Sequence, residues 1–341
     1  MAVGTIRIKA KDLNPYQKTA KGWIKIKRDF KEIKNIVKLY KAESNFNFLI
    51  DKNNISFLKG GLLTNKEIGD RIVFLPNGEK LEKAFSLFSK QLTLHDQETH
   101  DHWDVLYKNI GGTWSYVYTL KKRKEHFNKK YRKVHEFEKK YPKLLAMVKN
   151  ALQDKKDFMA LPMYTLLKTY IRMGNETYLK AHNHRGLTTL TKENISIKGN
   201  NVSFNFIGKD GVPTAITKDF PKIYIQRLKN SIKHDVPYLF SNNGSSLQEH
   251  HFKKAFVKYC GQEFYPHIVR SHHATMKVKE FLSKNRKVDK DEVNKLFTEI
   301  AHDLGHKKFN KKNGLWEEHY AVTINNYVQP ELLKKVQNRI R

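Results

Sequence analysis

Five side chains in the second half of the chain could do chemistry together. Arg172 lies in the run Tyr170–Asn175, Lys209 in Ile207–Gly211, Arg270 in His267–His273, His306 in Asp303–Lys308, and Tyr327 in Asn325–Leu333. A guanidinium is a planar fork of N–H donors that fits a phosphoryl group. Lysine and histidine can hand a proton to a reacting oxygen. A tyrosine hydroxyl can form a covalent ester. Such a set suits breaking and remaking a phosphodiester through a tyrosine ester. Singly, each has a plainer reading: an arginine after an apolar helix caps it, and a lysine on a turn is solvated. Their company lifts them above it.

The elements that must position these groups are legible in outline. Residues 125–168 read as largely helical, interrupted at Pro142 and again near Leu161-Pro162. Leu161, Met163, Leu166, Leu167 and Tyr170 make an apolar side just ahead of Arg172. Strands are predicted over Gly186–Leu190, Asn194–Ile197 and Val202–Ile207, with Gly199 in a hairpin turn. Lys209-Asp210-Gly211 is a second turn before Val212–Thr217, so Lys209 sits at a hairpin tip. Helices follow over Pro221–Lys233, Leu247–Tyr259 and Tyr265 to about Lys284. Asp289 with Glu292 forms a capping box for another, which Gly305 ends just before His306. Pro330 opens a last helix over 330–340. His182 and His184, two apart and without further ligands, do not make a metal site.

The front of the chain is less telling. Residues 1–45 are basic, with a helix near Arg28–Tyr40. Short strands are expected at Phe46–Ile50, Ile55–Leu58 and Arg71–Leu75, and a short helix over Glu79–Lys90. After Gly111-Gly112, Trp114–Tyr118 alternates as a strand, so Trp114, Tyr116 and Tyr118 share a face. That face either packs on a core or meets a sugar-phosphate backbone. The β-rich region ends near residue 124, which divides the chain into domains 1–124 and 125–341. Residues 121–133 then hold eight Lys/Arg and one Glu. On a helix this density, including Lys121, Lys122 and Arg123, covers more than one face and should reach phosphate.

Bulk composition points the same way. In 341 residues, 65 Lys+Arg stand against 34 Asp+Glu, a net charge of +31. Such an excess self-repels and implies a polyanionic partner. With 39% hydrophobic residues a sizeable core is possible. The one cysteine, Cys260, excludes an intramolecular disulfide and a Cys-rich zinc site, and reads as a buried small hydrophobe. No apolar run reaches the ~18 residues of a membrane span, and residues 1–9 lack the apolar core of a secretory signal. The expectation is an intracellular protein that works on nucleic acid.

The residues from about Trp114 to Leu333 resemble the type IB DNA topoisomerases, of the small kind known from poxviruses, other large DNA viruses and bacteria. The resemblance is most specific in Tyr170–Asn175, then Arg185–Leu190, then Val202–Asp210. The aromatic strand and basic helix from Trp114 to Leu144 are similar to the join between that family's domains; the first 100 residues carry little to match. The resemblance implies an α+β fold: a small β-rich N-terminal domain and a mainly α-helical catalytic domain with a β-hairpin sheet, forming a C-shaped clamp around duplex DNA. It implies that Arg172, Lys209, Arg270 and His306 are the transition-state and acid residues, and that Tyr327 is the nucleophile. His267 falls at a position that is basic in relatives, and resembles the His-x-x-Arg of tyrosine recombinases. Tyr116, Tyr118, Lys121, Lys122, Arg123 and His267 are the expected DNA contacts. No cofactor or metal is implied, and the partner is double-stranded DNA, bound by a monomer.

One departure stands out. Tyr327 lies 21 residues after His306, farther than in small relatives, and residues 309–320 look like an insertion. Tyr320 is therefore a rival nucleophile. Two other functions stay open: a tyrosine recombinase or integrase built on the same five groups, and a non-enzymatic basic DNA-binding protein.

Overall fold

The structure is a computed structural model that describes residues 1–95, 103–109, 112–233, 236–242 and 244–341. Gly111 of the expected Gly-Gly turn lies outside the described residues. The chain forms two compact units, Met1–Lys129 and Lys130–Arg341. The first is β-rich and the second mainly helical, an α+β arrangement.

In the first unit, β1 (Ile6–Ile8), β2 (Pro15–Thr19) and β3 (Gly22–Lys25) precede α1 (Lys31–Ala42). After it come β4 (Gly61–Leu63), β5 (Lys66–Ile68), β6 (Ile72–Phe74), β7 (Lys80–Phe85), β8 (Lys90–Leu94), β9 (Val105–Lys108) and β10 (Trp114–Val117). The strands pair antiparallel, in the orders β3-β2-β1-β4-β5, β6-β7 and β10-β9-β8. Ile33, Ile36, Val37 and Tyr40 recur at helical spacing on α1 and are buried with Ile8, Leu49, Ile72, Phe85 and Val117. Arg7 is buried too, bonded to Asp51 at 2.5 Å and to the carbonyl of Leu58 at 2.7 Å, which satisfies its charge.

Three expectations fail in this unit. Ile55–Leu58 is a turn rather than a strand: Ile55 is exposed, and only Phe57 and Leu58 make isolated bridges, to Lys9 and Ile50. Phe46–Leu49 is a 3-10 turn rather than a strand, because that geometry brings Phe46 and Leu49, three apart, to one side against the core. Glu79–Lys90 is not a helix. Leu81, Phe85 and Phe88 imitate helical spacing, but the Asn77-Gly78 turn folds the segment back to pair as β7 with β6.

The second unit contains most of α2 (Leu120–Ala151), then α3 (Ala160–Thr169), α4 (Glu176–His182), β11 (Ile195–Lys198), β12 (Asn201–Ile207) and β13 (Pro213–Asp219). Next are α5 (Lys222–Lys233), the short β14 (Ser241–Asn242) and β15 (Ser245–Ser246), α6 (Glu249–Cys260), α7 (Ile268–Lys284) and α8 (Lys290–Asp303). A hairpin of β16 (Lys307–Asn310) and β17 (Leu315–Glu318) leads to α9 (Ala321–Tyr327) and α10 (Pro330–Gln337). The insertion at 309–320 is thus largely this hairpin. Asp289 and Glu292 make the expected capping box of α8. Cys260 is buried, its thiol pointing at the Phe256 carbonyl.

Pro142 does not interrupt α2. Phe137 before it and Leu144 and Val148 after it are buried in one core, and that packing outweighs the lost backbone bond. Gly186–Leu190 is not a strand. Leu187–Thr189 is a 3-10 turn closed by Thr189 N–H on the Gly186 carbonyl at 2.9 Å, which turns both Leu187 and Leu190 into the core. A second core gathers Ala274, Val278, Phe297, Ile300 and Leu332 around Tyr327. No helix among the described residues is long and apolar enough to cross a membrane.

Candidate active site

Arg172 owes its place to an abrupt helix end. Tyr170 caps α3 in the left-handed region, φ +57°, where a glycine is usual. A side chain there costs about 1 kcal/mol or more. The ring stacks on His273 at 3.8 Å, and His273 Nε2 is bonded to Asp303 Oδ2 at 2.9 Å. Burial pushes the Asp303 carboxyl up, but His273 and Lys218 outweigh it and hold its pKa at about 2. Beyond Tyr170 the chain reverses and is clasped by the Gly186 turn: Leu187 N–H donates to the Arg172 carbonyl at 2.8 Å, and Thr188 Oγ1 to the Gly174 carbonyl at 3.2 Å. A Cβ on Gly186 would lie 2.6 Å from the carbonyl oxygens of Arg172 and Met173, so only glycine fits this approach.

Arg270 lies in the first turn of α7 and is 3% exposed. Its guanidinium donates to the Tyr170 carbonyl at 2.5 Å and to the Leu304 carbonyl at 2.6 Å. It thereby ties the end of α3 to the end of α8. Among the described residues its Nε has no hydrogen-bond partner. Desolvation lowers its pKa to about 10, which leaves it charged at neutral pH.

His306 follows Gly305, whose φ of +63° turns the chain out of α8. Its Nε2 lies 3.1 Å from Arg270 Nη2 and 3.5 Å from Arg172 Nη2, and its Nδ1 lies 2.8 Å from Thr323 Oγ1. Desolvation, then the two arginines and His267, push its pKa down to about 3, so the imidazole is neutral at pH 7.

Tyr327 ends α9, and its hydroxyl accepts a hydrogen bond of 2.8 Å from Arg172 Nη2. Arg270 stands 5.4 Å from the ring centroid, with the His306 and His267 rings at 4.8 and 5.3 Å. Tyr131 Oη donates to the Val328 carbonyl at 2.7 Å, and Lys130 Nζ to that of Asn326, which pins the end of α9 to α2. Tyr320 is placed differently. Its hydroxyl donates to Asn294 Oδ1 at 2.9 Å and its ring packs near Phe297.

Lys209 is exposed at the β12–β13 tip, shaped by positive φ at Asp210 and Gly211. With Arg172, Arg185, Arg270, His306 and His319 it lines a cleft of about 290 Å³. His267 is exposed, yet desolvation followed by Arg270, Arg172, Lys130 and Lys209 lowers its pKa to about 3. All five candidate chemical groups and His267 therefore belong to one region of the second unit.

The other expected DNA contacts belong to the first unit. On β10, Ser115 and Val117 face inward and Trp114 and Tyr116 outward, the latter 53% exposed. Tyr118 is half-buried, its ring edge-on to His126. Lys121 is exposed, whereas Lys122 is paired with Asp104 at 2.6 Å and Arg123 with Glu82. Among the described residues no group of three or more His, Cys, Asp or Glu could hold a metal ion.

The model of the eukaryotic DNA topoisomerase I catalytic core matches residues 119–335. The chain belongs to the DNA topoisomerase I family. The match spans α2 to α10 and takes in every group around Tyr327. Two solved structures of the XerH site-specific recombinase bound to difH substrates share 16% identity with this topoisomerase-family chain. The pre-cleavage complex overlaps 41% of each chain at a TM-score of 0.30; the post-cleavage complex overlaps 50% of this chain and 48% of the other at 0.34. This chain thus spans less than half of either recombinase. No curated protein matches it.

Three groups escaped the sequence reading. Lys130, lowered to about 8 by desolvation and 5.4 Å from the Tyr327 centroid, was one of many in its basic run. Tyr170 gave no sign of its left-handed backbone. Thr323 could have been found: it lies four residues before Tyr327, one turn of a helix.

Proposed function

We propose that the protein is a type IB DNA topoisomerase that relaxes supercoiled DNA through a 3′-phosphotyrosyl intermediate, without ATP or metal. The observation that carries this is the Tyr327 hydroxyl held by Arg172 Nη2 at 2.8 Å beside Arg270 and His306. Tyr327 Oη gives up its proton to solvent and attacks a DNA phosphorus, and the bond to the 5′ oxygen breaks. Arg172 and Arg270 bond to the non-bridging oxygens of the five-coordinate transition state, and His306 donates to one of them. Lys209, on its exposed tip, protonates the departing 5′ oxygen. The cut strand rotates about the intact one, and the 5′ hydroxyl then attacks the phosphotyrosine and releases Tyr327. Bond energy is kept in the ester, so no nucleotide is consumed.

Tyr327 is the nucleophile in this reading, and Tyr320, spent on Asn294, is structural. Residues 1–124 act as a clamp domain that closes the C-shaped grip on duplex DNA, with residues 125–341 as the catalytic domain. Tyr116, Tyr118, Lys121 and His267 contact DNA. Lys122 and Arg123 do so by exchanging their carboxylates for phosphate. The net charge of +31 supports such a partner. The enzyme works as an intracellular monomer.

Supercoiled plasmid incubated in EDTA without ATP tests the reading. Both positive and negative supercoils should relax. Inactivity on plasmid together with strand exchange between paired sites would instead favour a recombinase.

A further inference from the structure

The hydroxyl against His306 carries an inference about how that histidine is made ready. Thr323 is fully buried, and its Oγ1 sits 2.8 Å from His306 Nδ1. On its other side His306 Nε2 faces Nη2 of Arg270 at 3.1 Å and of Arg172 at 3.5 Å. Guanidinium nitrogens only donate. Nε2 must therefore accept, so the single proton of the neutral ring sits on Nδ1 and is donated to Thr323.

This is the wrong tautomer for the proposed reaction. A phosphoryl group in the cleft draws the two guanidinium forks to its own oxygens. Nε2 then loses its donors and faces an acceptor, to which it can contribute only as N–H. With the proton on Nε2, Nδ1 becomes a bare lone pair and needs a donor in a buried place. A carboxylate or carbonyl partner could not supply one; a threonine hydroxyl can, by turning about its Cβ–Oγ1 bond. One proton leaves Nδ1 and one arrives at Nε2 by way of solvent, so the net count is unchanged.

We propose that Thr323 is a positioning residue that lets His306 exchange tautomers as phosphate arrives. Its place on α9, one turn before Tyr327, makes the helix that carries the tyrosine also orient the histidine. The inference rests on the proposed role of His306, and the experiment separates the two.

Single-turnover cleavage of a duplex substrate is compared for wild type, Thr323→Val, Thr323→Ser and His306→Ala, and for Thr323→Val combined with His306→Ala. The isosteric valine should slow cleavage about tenfold, one neutral hydrogen bond's worth, with DNA affinity unchanged. Serine, which keeps the hydroxyl, should stay within about threefold of wild type. In the His306→Ala background valine should cost less than about twofold, because the partner it acts through is gone. Thr323→Ala carries the same comparison if the valine protein does not fold. An equal loss in both backgrounds, or full activity of the valine protein, overturns the inference about Thr323. Wild-type cleavage by His306→Ala overturns the role of His306 itself.

Discussion

Arg270→Lys keeps the positive charge and removes the fork. The guanidinium reaches the Tyr170 and Leu304 carbonyls at 2.5 and 2.6 Å and His306 at 3.1 Å, with Nε still free. An ammonium has three donors at one point and cannot span these partners while also meeting two phosphoryl oxygens. Losing one such donor from a transition state costs about 3–4 kcal/mol, on the order of 10²–10³ in rate. In the proposed reading ground-state binding is spread over many phosphate contacts, so affinity should change by no more than about threefold. The assay is covalent-complex formation on a duplex whose cleaved end diffuses away, with affinity read separately by anisotropy. Cleavage within threefold of wild type would refute the reasoning, because an arginine this enclosed would then only be tying α3 to α8. A fall in affinity that accounts for the whole loss of rate would refute it equally.

Three further expectations follow from the same geometry. Lys209→Ala should slow cleavage by about 10²–10⁴ when the leaving group is oxygen, and far less with a 5′-bridging sulfur, which departs without a proton; equal losses on both substrates would remove Lys209 as the acid. Gly186→Ala places a Cβ 2.6 Å from two backbone oxygens, and should cost about 1–3 kcal/mol in thermal unfolding and slow cleavage by displacing Arg172; an unperturbed melting curve contradicts the clasp. The third concerns pH. The buried His306 has a folded pKa of about 3 and His272 one of about 4, both below the usual 6.5, so between these values the unfolded chain binds more protons. Their contribution to stability is whole above pH 6.5 and declines as pH falls toward 3. His306→Asn should flatten the decline measured by thermal unfolding between pH 7 and 4.5, and an unchanged slope would show that His306 is not buried neutral.

Residue types and their order told more about the candidate site than about its support. Arg172, Lys209, Arg270, His306 and Tyr327 stood out because their residue types together suit phosphodiester chemistry, and glycines mark the turns at Lys209 and before His306. Most of what holds them is long-range and left no local mark: the Tyr170–His273–Asp303 contacts and the Gly186 clasp. In the N-terminal unit β1, β2 and β3 were illegible, since three to five residues interleaved with lysine carry too short a period to read. Leu81, Phe85 and Phe88 carried the period of a helix and were overruled by strand pairing. Pro142 carried a helix-breaking signal and was overruled by packing.

The most direct test is to stop the reaction on duplex DNA with denaturant and look for protein joined to the 3′ end of the cut strand. Peptide mapping of the adduct should place the phosphate on Tyr327, and Tyr327→Phe should give no adduct at any time. An adduct on Tyr320, on the 5′ end, or one that survives in Tyr327→Phe, would contradict the mechanism.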